Sequence, residues 1–237
     1  MNRTLIVTLV LIAAISAAAL AQSEQQSQPL SSGQVVYQNR YFTGEVFTGY
    51  FAGVGLHVAA TVNQFADGFP FQLRFGLGYA WVPTGDAVRA RRVFIDQATT
   101  GSPRGHGKMW DARVDILMPI KLFSLKRSRF FFGARKASYN AYFEYIGGNE
   151  TFDVISKPWG VGGGLETSFA LSPRVDMIVT AGADYYFRSL LTGHDTYYRP
   201  NGDDLNAKED FTYKDADEAV AQPNLNTRIM FGVAYHF

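Results

Sequence analysis

Apolar and polar residues alternate along seven segments of this 237-residue chain, and no other feature constrains its fold as strongly. In the last segment, from Leu225 to Phe237, the odd positions are nearly all apolar or aromatic, and the even positions are mostly polar or small. A period of two residues is that of a β-strand with two different faces. Each segment can cross a bilayer as a tilted strand of about 9 to 11 residues. The segments are 46–58, 71–81, 110–121, 129–145, 159–169, 175–187 and 225–237.

The segment 129–145 departs from strict alternation, because Arg135 and Lys136 are adjacent and would place charge on both faces. A β-bulge near Arg135 would resolve the conflict, and so would a position of Lys136 above the lipid. The sequence leaves both alternatives open.

The lengths of the connections predict an eighth strand. Outer-membrane barrels have short periplasmic turns, long outer loops and, in single bacterial chains, an even number of strands. The strand from Val46 must then descend from the outer side and needs a rising partner, for which residues 34–42, with a turn at 43–45, are the candidate. The predicted fold is all-β, an eight-stranded antiparallel up-and-down transmembrane β-barrel. The long connections are 83–107, 146–158 and 189–223.

The N-terminus has the pattern of an export signal. Arg3 precedes an apolar stretch without charge, and Ala19-Leu20-Ala21 is a small-residue cleavage motif. We predict a signal peptide at 1–21, a disordered periplasmic tail at 22–33, whose composition is polar, and a barrel domain at 34–237. An uncleaved membrane anchor at the N-terminus is the alternative.

Composition narrows the classes of partner and site. After the N-terminal stretch, no apolar run approaches the roughly 20 residues that a membrane-spanning helix needs. The chain has no Cys, which excludes disulfides and thiolate metal sites. Without Arg3 its 22 basic residues become 21, equal to its 21 acidic residues. We therefore predict no nucleic-acid partner, no cofactor and no metal site.

Three Trp residues agree with this topology. Trp81 ends a rising strand, whereas Trp110 and Trp159 begin descending strands, so all three fall on the apolar face at the outer rim. Such aromatic girdles are typical of membrane barrels. The alternative is a soluble carrier barrel with its apolar face inward. The polar face is rich in Gly and Ala with isolated charges, which favours a crowded interior over a solvated surface.

The interior of an eight-stranded barrel is just wide enough for side chains to fill. Its predicted inward faces carry six basic and five acidic residues. An unpaired charge there would be costly, so we expect an ion-pair network that plugs the lumen. A narrow polar pore for small solutes is the alternative. The predicted lumen residues are Arg74, Asp111, Arg113, Asp115, Lys121, Arg135, Glu166, Asp176, Asp184, Arg188 and Arg228.

The last strand ends in Gly-x-x-aromatic-x-aromatic, formed by Gly232, Tyr235 and Phe237. With the export signal and the strand pattern, it makes the chain resemble the small outer-membrane β-barrel family, which includes the OmpA transmembrane domain and OmpX-like proteins. In that family the residue two positions before the Gly is usually polar, whereas here it is Met230. The resemblance implies insertion by the barrel-assembly machinery into the cell outer membrane, among its lipid and lipopolysaccharide.

Some barrels of this size act on lipid A or phospholipids, but this chain offers few catalytic groups. The lipid A deacylases of this architecture use a closely spaced His and Ser on one strand, and no His-x-Ser occurs here. His194 and Asp195 could form a base and an orienting acid, but no nucleophile is placed with them. His57 and His236 fall on predicted inward faces. We therefore predict no enzymatic activity, with a lipid-modifying enzyme as an alternative.

The long loops have opposite charge. Residues 189–223 are acidic and are expected to be solvated surface rather than a cation site. Residues 83–107 are basic and could contact lipopolysaccharide phosphates or pair with the acidic loop. The predicted function is an integral outer-membrane barrel with a structural or surface-contact role through its outer loops, whose extracellular ligand the sequence does not identify.

Overall fold

The computed structural model describes residues 42–63, 71–95, 101–122, 125–148, 150–205 and 210–237. The predicted signal peptide, the predicted tail and most of the predicted first strand lie outside the described residues.

Eight strands form a closed antiparallel barrel, as predicted. They are β1 (Phe42–Phe51), β2 (Val54–Val62), β3 (Gln72–Val82), β4 (Ser102–Leu122), β5 (Leu125–Ile146), β7 (Trp159–Ala170), β8 (Val175–Tyr186) and β11 (Leu225–His236). Strand β11 pairs with β1, and β5 pairs with β7, so the ring has no free edge along these strands. We call the end where β1 begins and β11 ends the inner end, and the opposite end the outer end.

The first two barrel strands differ from the prediction. The segment 46–58 forms a hairpin rather than one strand, and it reverses at Ala52, whose φ of 60° is left-handed. Val46 pairs with Val58 in this hairpin. In this hairpin an even-numbered residue pairs with an even-numbered residue, so both lie on the same face of the sheet. The alternation of apolar and polar residues therefore continues unchanged through the turn and conceals it. Residues 43–45, predicted as a turn, lie within β1, so that turn prediction is wrong. Strand β1 pairs directly with β11, so the described ring closes without the predicted strand at 34–42, of which only Phe42 is described.

The barrel wall is apolar outside and polar inside. Phe75, Leu77 and Phe231 point outward and are about half exposed, whereas Arg74, Arg113 and Arg135 point inward and are buried. In water such an outer surface would be a large aggregation-prone patch, but lipid solvates it well. This arrangement excludes the soluble carrier alternative. None of the helices in the described ranges is long and apolar enough to cross a membrane.

Strands β4 and β5, with 21 and 22 residues, are about twice as long as their neighbours and project beyond the outer end. The long connections contain further elements, which are β6 (Thr151–Ser156), β9 (Leu191–Thr192), β10 (Tyr197–Tyr198), α1 (Ala87–Phe94) and α2 (Tyr213–Ala219). The projecting halves of β4 and β5 pair with each other, and that of β5 also pairs with β6, to which β9 and then β10 are added. Helix α1 packs against β4, and α2 packs against α1 and β9. We call the described residues within 83–109, 137–158 and 187–224 the cap.

The cap has its own aromatic core. The rings of Phe143 and Phe152 stack with centroids 5.1 Å apart, and Tyr198 meets Phe94 of α1 edge-on at 5.5 Å. Of these residues, Phe94 is 1% exposed and Phe143 is fully buried. The three long outer connections therefore fold together into one packed unit rather than forming separate loops.

Candidate functional site

The barrel interior contains a group of ion pairs near its inner end, which we call the inner cluster: Glu45, Arg74, Arg129 and Glu166. Arg74 donates to Glu166 Oε2 at 2.8 Å and to Glu45 Oε1 at 2.9 Å. Arg129 also donates to Glu166. These residues come from β1, β3, β5 and β7, so the cluster bridges the lumen from wall to wall. Two acids and two bases make it electrically balanced.

A second group lies toward the outer end. This outer cluster contains Asp111, Arg113, Asp115, Arg135, Asp184 and Arg228. Arg113 donates to Asp111 through Nε at 2.6 Å, and the Tyr186 hydroxyl donates to the same carboxylate at 2.7 Å. Arg135 donates to Asp184 at 2.8 Å and pairs with Asp115 at 2.7 Å. Arg228 lies 3.6 Å from Asp184. Three acids and three bases again balance.

Aromatic rings fill the space between the two clusters. Arg74 lies over Phe47 and Arg228 over Phe131, with guanidinium carbons 5.6 and 4.8 Å from the ring centroids. Rings beneath guanidinium groups add cation–π attraction to the ion pairs. The cavity left among these side chains has a volume of about 10 Å³, room for about one water molecule.

Inward-facing glycines allow this packing. A side chain at Gly162 would collide with the Asp184 carboxylate, and one at Gly232 would collide with the Phe47 ring. The Gly-rich run in β7 therefore provides room for the outer cluster.

The structure places nine of the eleven predicted lumen residues at buried positions. Asp176 among them belongs to neither cluster, since it pairs at the inner end with Arg127 at 3.1 Å. Lys121 and Arg188 are exposed instead. Lys121 lies at a register shift between Ile120 and Leu122, and Arg188 lies two residues beyond the end of β8, so alternation no longer sets their direction.

Sequence reasoning missed two members of the inner cluster, Glu45 and Arg129. Glu45 lies two residues from Phe47 in β1, and Arg129 lies six residues from Arg135 in β5, so each shares the lumen-facing side of its strand with a residue that points inward. That spacing could have identified both. Glu45 was missed because it was assigned to a turn.

The predicted girdle residues lie on the outer surface of the wall. Trp110 and Trp159 are 56% and 62% exposed, and Trp81 is partly covered by the Tyr79 ring at 5.3 Å. Lys136 places its ammonium 4.7 Å above Trp159, while the register of β5 continues unchanged through Arg135. Of the two alternatives for this pair, the structure therefore has Lys136 at the girdle and no bulge at Arg135.

The terminal motif and the strand histidines have structural contacts. Tyr235 and Phe237 meet edge-on at 5.0 Å on the outside of β11, and the assembly role of these residues and Gly232 stays a prediction. His57 is buried with its ring 5.7 Å from Phe47, and His236 lies 3.0 Å from the Asp176 carboxylate. Across the described ranges, no group of three or more His, Asp or Glu side chains is placed to hold a metal ion.

Tyrosine hydroxyls hold the cap together. Tyr145 donates to the Ala87 carbonyl at 2.6 Å, and Tyr198 donates to the Val93 carbonyl at 2.8 Å, so both ends of α1 are bonded to other cap segments. Tyr213 of α2 donates to the Ser189 carbonyl at 3.0 Å. Burial raises the pKa of Tyr145 to about 12 and also raises the pKa of Tyr213.

The basic and acidic loops meet in the cap. Arg89 of α1 donates to Glu218 at 2.8 Å and to Asp215 at 3.3 Å, both in α2. The backbone N–H of Thr212, which caps α2, lowers the pKa of the Asp215 carboxyl. Of the two roles expected for the basic loop, Arg89 therefore takes that of pairing with the acidic loop.

Comparison with solved structures agrees with this architecture. The chain is similar to a major outer membrane protein from Thermus thermophilus, with a TM-score of 0.65 and 22% identity over 83% of this chain and 98% of that one. This chain has the fold of the small outer-membrane β-barrels. That fold and the apolar belt below the girdle of Trp residues place the protein in the cell outer membrane.

Two further solved barrels match less closely. Neisserial surface protein A has a TM-score of 0.38 and 12% identity, over 83% of this chain and 96% of its own. Ail, the attachment invasion locus protein of Yersinia pestis, has a TM-score of 0.43 and 12% identity, over 83% and 93%. No protein-family model and no curated protein sequence matches the chain.

Proposed function

We propose that this outer-membrane barrel is closed to solutes, catalyses no reaction and makes its contacts through the cap. The observation that carries the proposal is the pair of balanced ion-pair clusters that span the lumen at two levels. Each cluster joins side chains from different sides of the barrel, which is the arrangement expected of a closed lumen.

Opening the lumen would be energetically costly. A solute that passes the inner cluster must separate Arg74 from Glu45 and Glu166, whose side chains are at most 5% exposed. Breaking a buried pair costs about 3 to 5 kcal/mol, because the remaining charge stays uncompensated. The cavity of about 10 Å³ between the clusters is far smaller than a sugar or an amino acid.

The cap is suited to making contacts because it is already ordered. Its helices are joined by Arg89, and the Tyr145 and Tyr198 hydroxyls bind α1 to its neighbours. A surface that is ordered before binding avoids the entropy cost of ordering loops upon contact.

The positions of the histidines support a non-enzymatic role. His57 and His236 are held within the barrel wall by aromatic and hydrogen-bonding contacts. His194 pairs with Asp195 at 2.7 Å on an exposed part of the cap. A His–Asp pair without a positioned nucleophile lacks the third group that covalent catalysis requires.

Conductance in planar bilayers tests the closed lumen. We expect the purified full chain to give no discrete current steps. Protein recovered from the same membrane should show heat-modifiable gel mobility, which demonstrates that folded barrel was present. Discrete steps from the wild-type chain whose size changes in an Asp115→Ala variant would show a pore through the outer cluster and overturn the proposal.

The contact role requires the cap to face outward. An antibody raised against residues 213–219 should label intact cells. Labelling only after the outer membrane is permeabilised would place the cap in the periplasm and exclude a role at the cell surface.

A further inference from the structure

A groove of about 660 Å³ runs across the outside of the wall from β2 to β7. Its floor is formed by Ala112 and Ala134, small residues on adjacent strands. Taller side chains stand on either side, with Phe75 and Leu77 on one and Trp159 on the other. The volume lies within the roughly 300 to 1,000 Å³ typical of small-molecule sites.

The register places this groove at the depth of the outer lipid leaflet. Ala112 lies two residues closer to the inner end than Trp110 on β4. Ala134 pairs with Val161, which lies two residues closer to the inner end than Trp159. The floor is therefore just below the girdle, where the surrounding medium is hydrocarbon. An occupant at this depth must present an apolar chain to the alanines.

The upper end of the groove is cationic. The ammonium of Lys136, which lines the groove, is held above Trp159 and donates to the Lys157 carbonyl at 2.7 Å. Lys108 does not line the groove; it projects from the same lipid-facing side of β4 as Ala112, four residues nearer the outer end, where it pairs with Asn140. Two ammonium groups at headgroup level favour an anionic headgroup.

We propose that the groove binds one phosphorylated acyl lipid of the outer leaflet. Its acyl chain lies along Ala112 and Ala134, and its phosphate accepts hydrogen bonds from Lys136 and Lys108. A second copy of this chain would bring the same lysines against themselves, so a lipid fits the charge better. The inference requires the membrane position of the barrel and is independent of whether the lumen conducts.

Native mass spectrometry of the full chain in detergent tests the site, with dioleoyl phosphatidic acid and dioleoylglycerol as probes. These lipids share acyl chains and differ in the phosphate. We expect one phosphatidic acid to bind about tenfold more tightly than dioleoylglycerol, as one or two charge-assisted hydrogen bonds provide. Lys136→Gln should weaken binding of phosphatidic acid severalfold more than binding of dioleoylglycerol, because only the phosphate accepts a hydrogen bond from the ammonium; an equal effect on both lipids would contradict the phosphate contact.

Filling the groove tests the acyl position. Ala134→Leu should weaken binding of both lipids about tenfold, whereas Ala181→Leu, an equally apolar change on the outward face of β8, should leave both unchanged. Both changes add apolar area toward lipid, and heat-modifiable mobility verifies folding of each variant.

Three results would overturn the proposal. Equal affinity of the wild-type chain for the two lipids would remove the phosphate contact. Equal effects of Ala134→Leu and Ala181→Leu would show ordinary solvation by lipid. A dimer that disappears in Ala134→Leu would show that a second chain occupies the groove.

Discussion

Replacing Glu166 by Gln should destabilise the barrel more than replacing an exposed Glu by Gln. Glu166 accepts two hydrogen bonds from Arg74, at 2.8 and 3.0 Å, and another from Arg129. The substitution preserves shape but removes one negative charge, so the inner cluster changes from balanced to a net charge of +1. A buried ion pair that loses one partner typically costs about 3 to 5 kcal/mol in unfolding free energy.

The matched control is Glu218→Gln in the cap. Its carboxylate also lies 2.8 Å from a guanidinium, that of Arg89, but the two side chains are 47% and 38% exposed. Water solvates both charges when the pair is broken, so we expect a loss of about 0 to 1 kcal/mol. The distances are the same, and burial is the difference between the two sites.

Urea-induced unfolding in lipid vesicles, followed by tryptophan fluorescence, measures both variants. The double variant Glu166→Gln with Arg129→Gln restores charge balance and should recover at least about 1 kcal/mol relative to the sum of the single losses. A loss below about 1 kcal/mol for Glu166→Gln alone would refute the reasoning, because it would mean that water reaches the cluster. Strict additivity in the double variant would refute the coupling.

Three further predictions concern the wall and the cap. Val179→Arg, on the lipid side at mid-membrane, should cost about 2 to 4 kcal/mol of unfolding free energy in vesicles, whereas Asp203→Lys in the exposed cap should cost almost nothing; equal tolerance would contradict the assigned faces. Tyr198→Phe should raise hydrogen exchange in α1 by roughly tenfold, because the buried Val93 carbonyl loses its donor; unchanged exchange would show that packing alone holds the helix. Burial raises the pKa of Tyr145 from about 10 to about 12, so its neutral form stabilises the cap fully below pH 10 and this contribution declines between pH 10 and 12. The difference in tyrosinate absorbance between the wild type and Tyr145→Phe measures the pKa of this hydroxyl. A pKa near 10 would contradict the burial.

The alternation of apolar and polar residues correctly predicted which side chains of 46–58 face lipid and which face the lumen, although this segment forms a hairpin and not the single strand that was predicted. Phe47, Phe51 and His57 point inward and Val46 and Val58 outward, although the chain reverses between them. A turn that pairs residues of like parity leaves the two-residue period intact, so only the Ala52-Gly53 corner could have signalled it.

The class of fold and the lipid-facing side could be read from the sequence alone, because these depend on local periodicity. The predicted number of eight strands was correct, but the first two strands were placed wrongly, because the turn at Ala52 preserves the alternation. Which charges meet depends on the tertiary structure. Arg74 and Glu166 are 92 residues apart, and Arg89 and Glu218 are 129 apart, so no local pattern relates them. The cap likewise became visible only in three dimensions, because its core combines residues from three separate loops, such as Phe94, Phe152 and Tyr198.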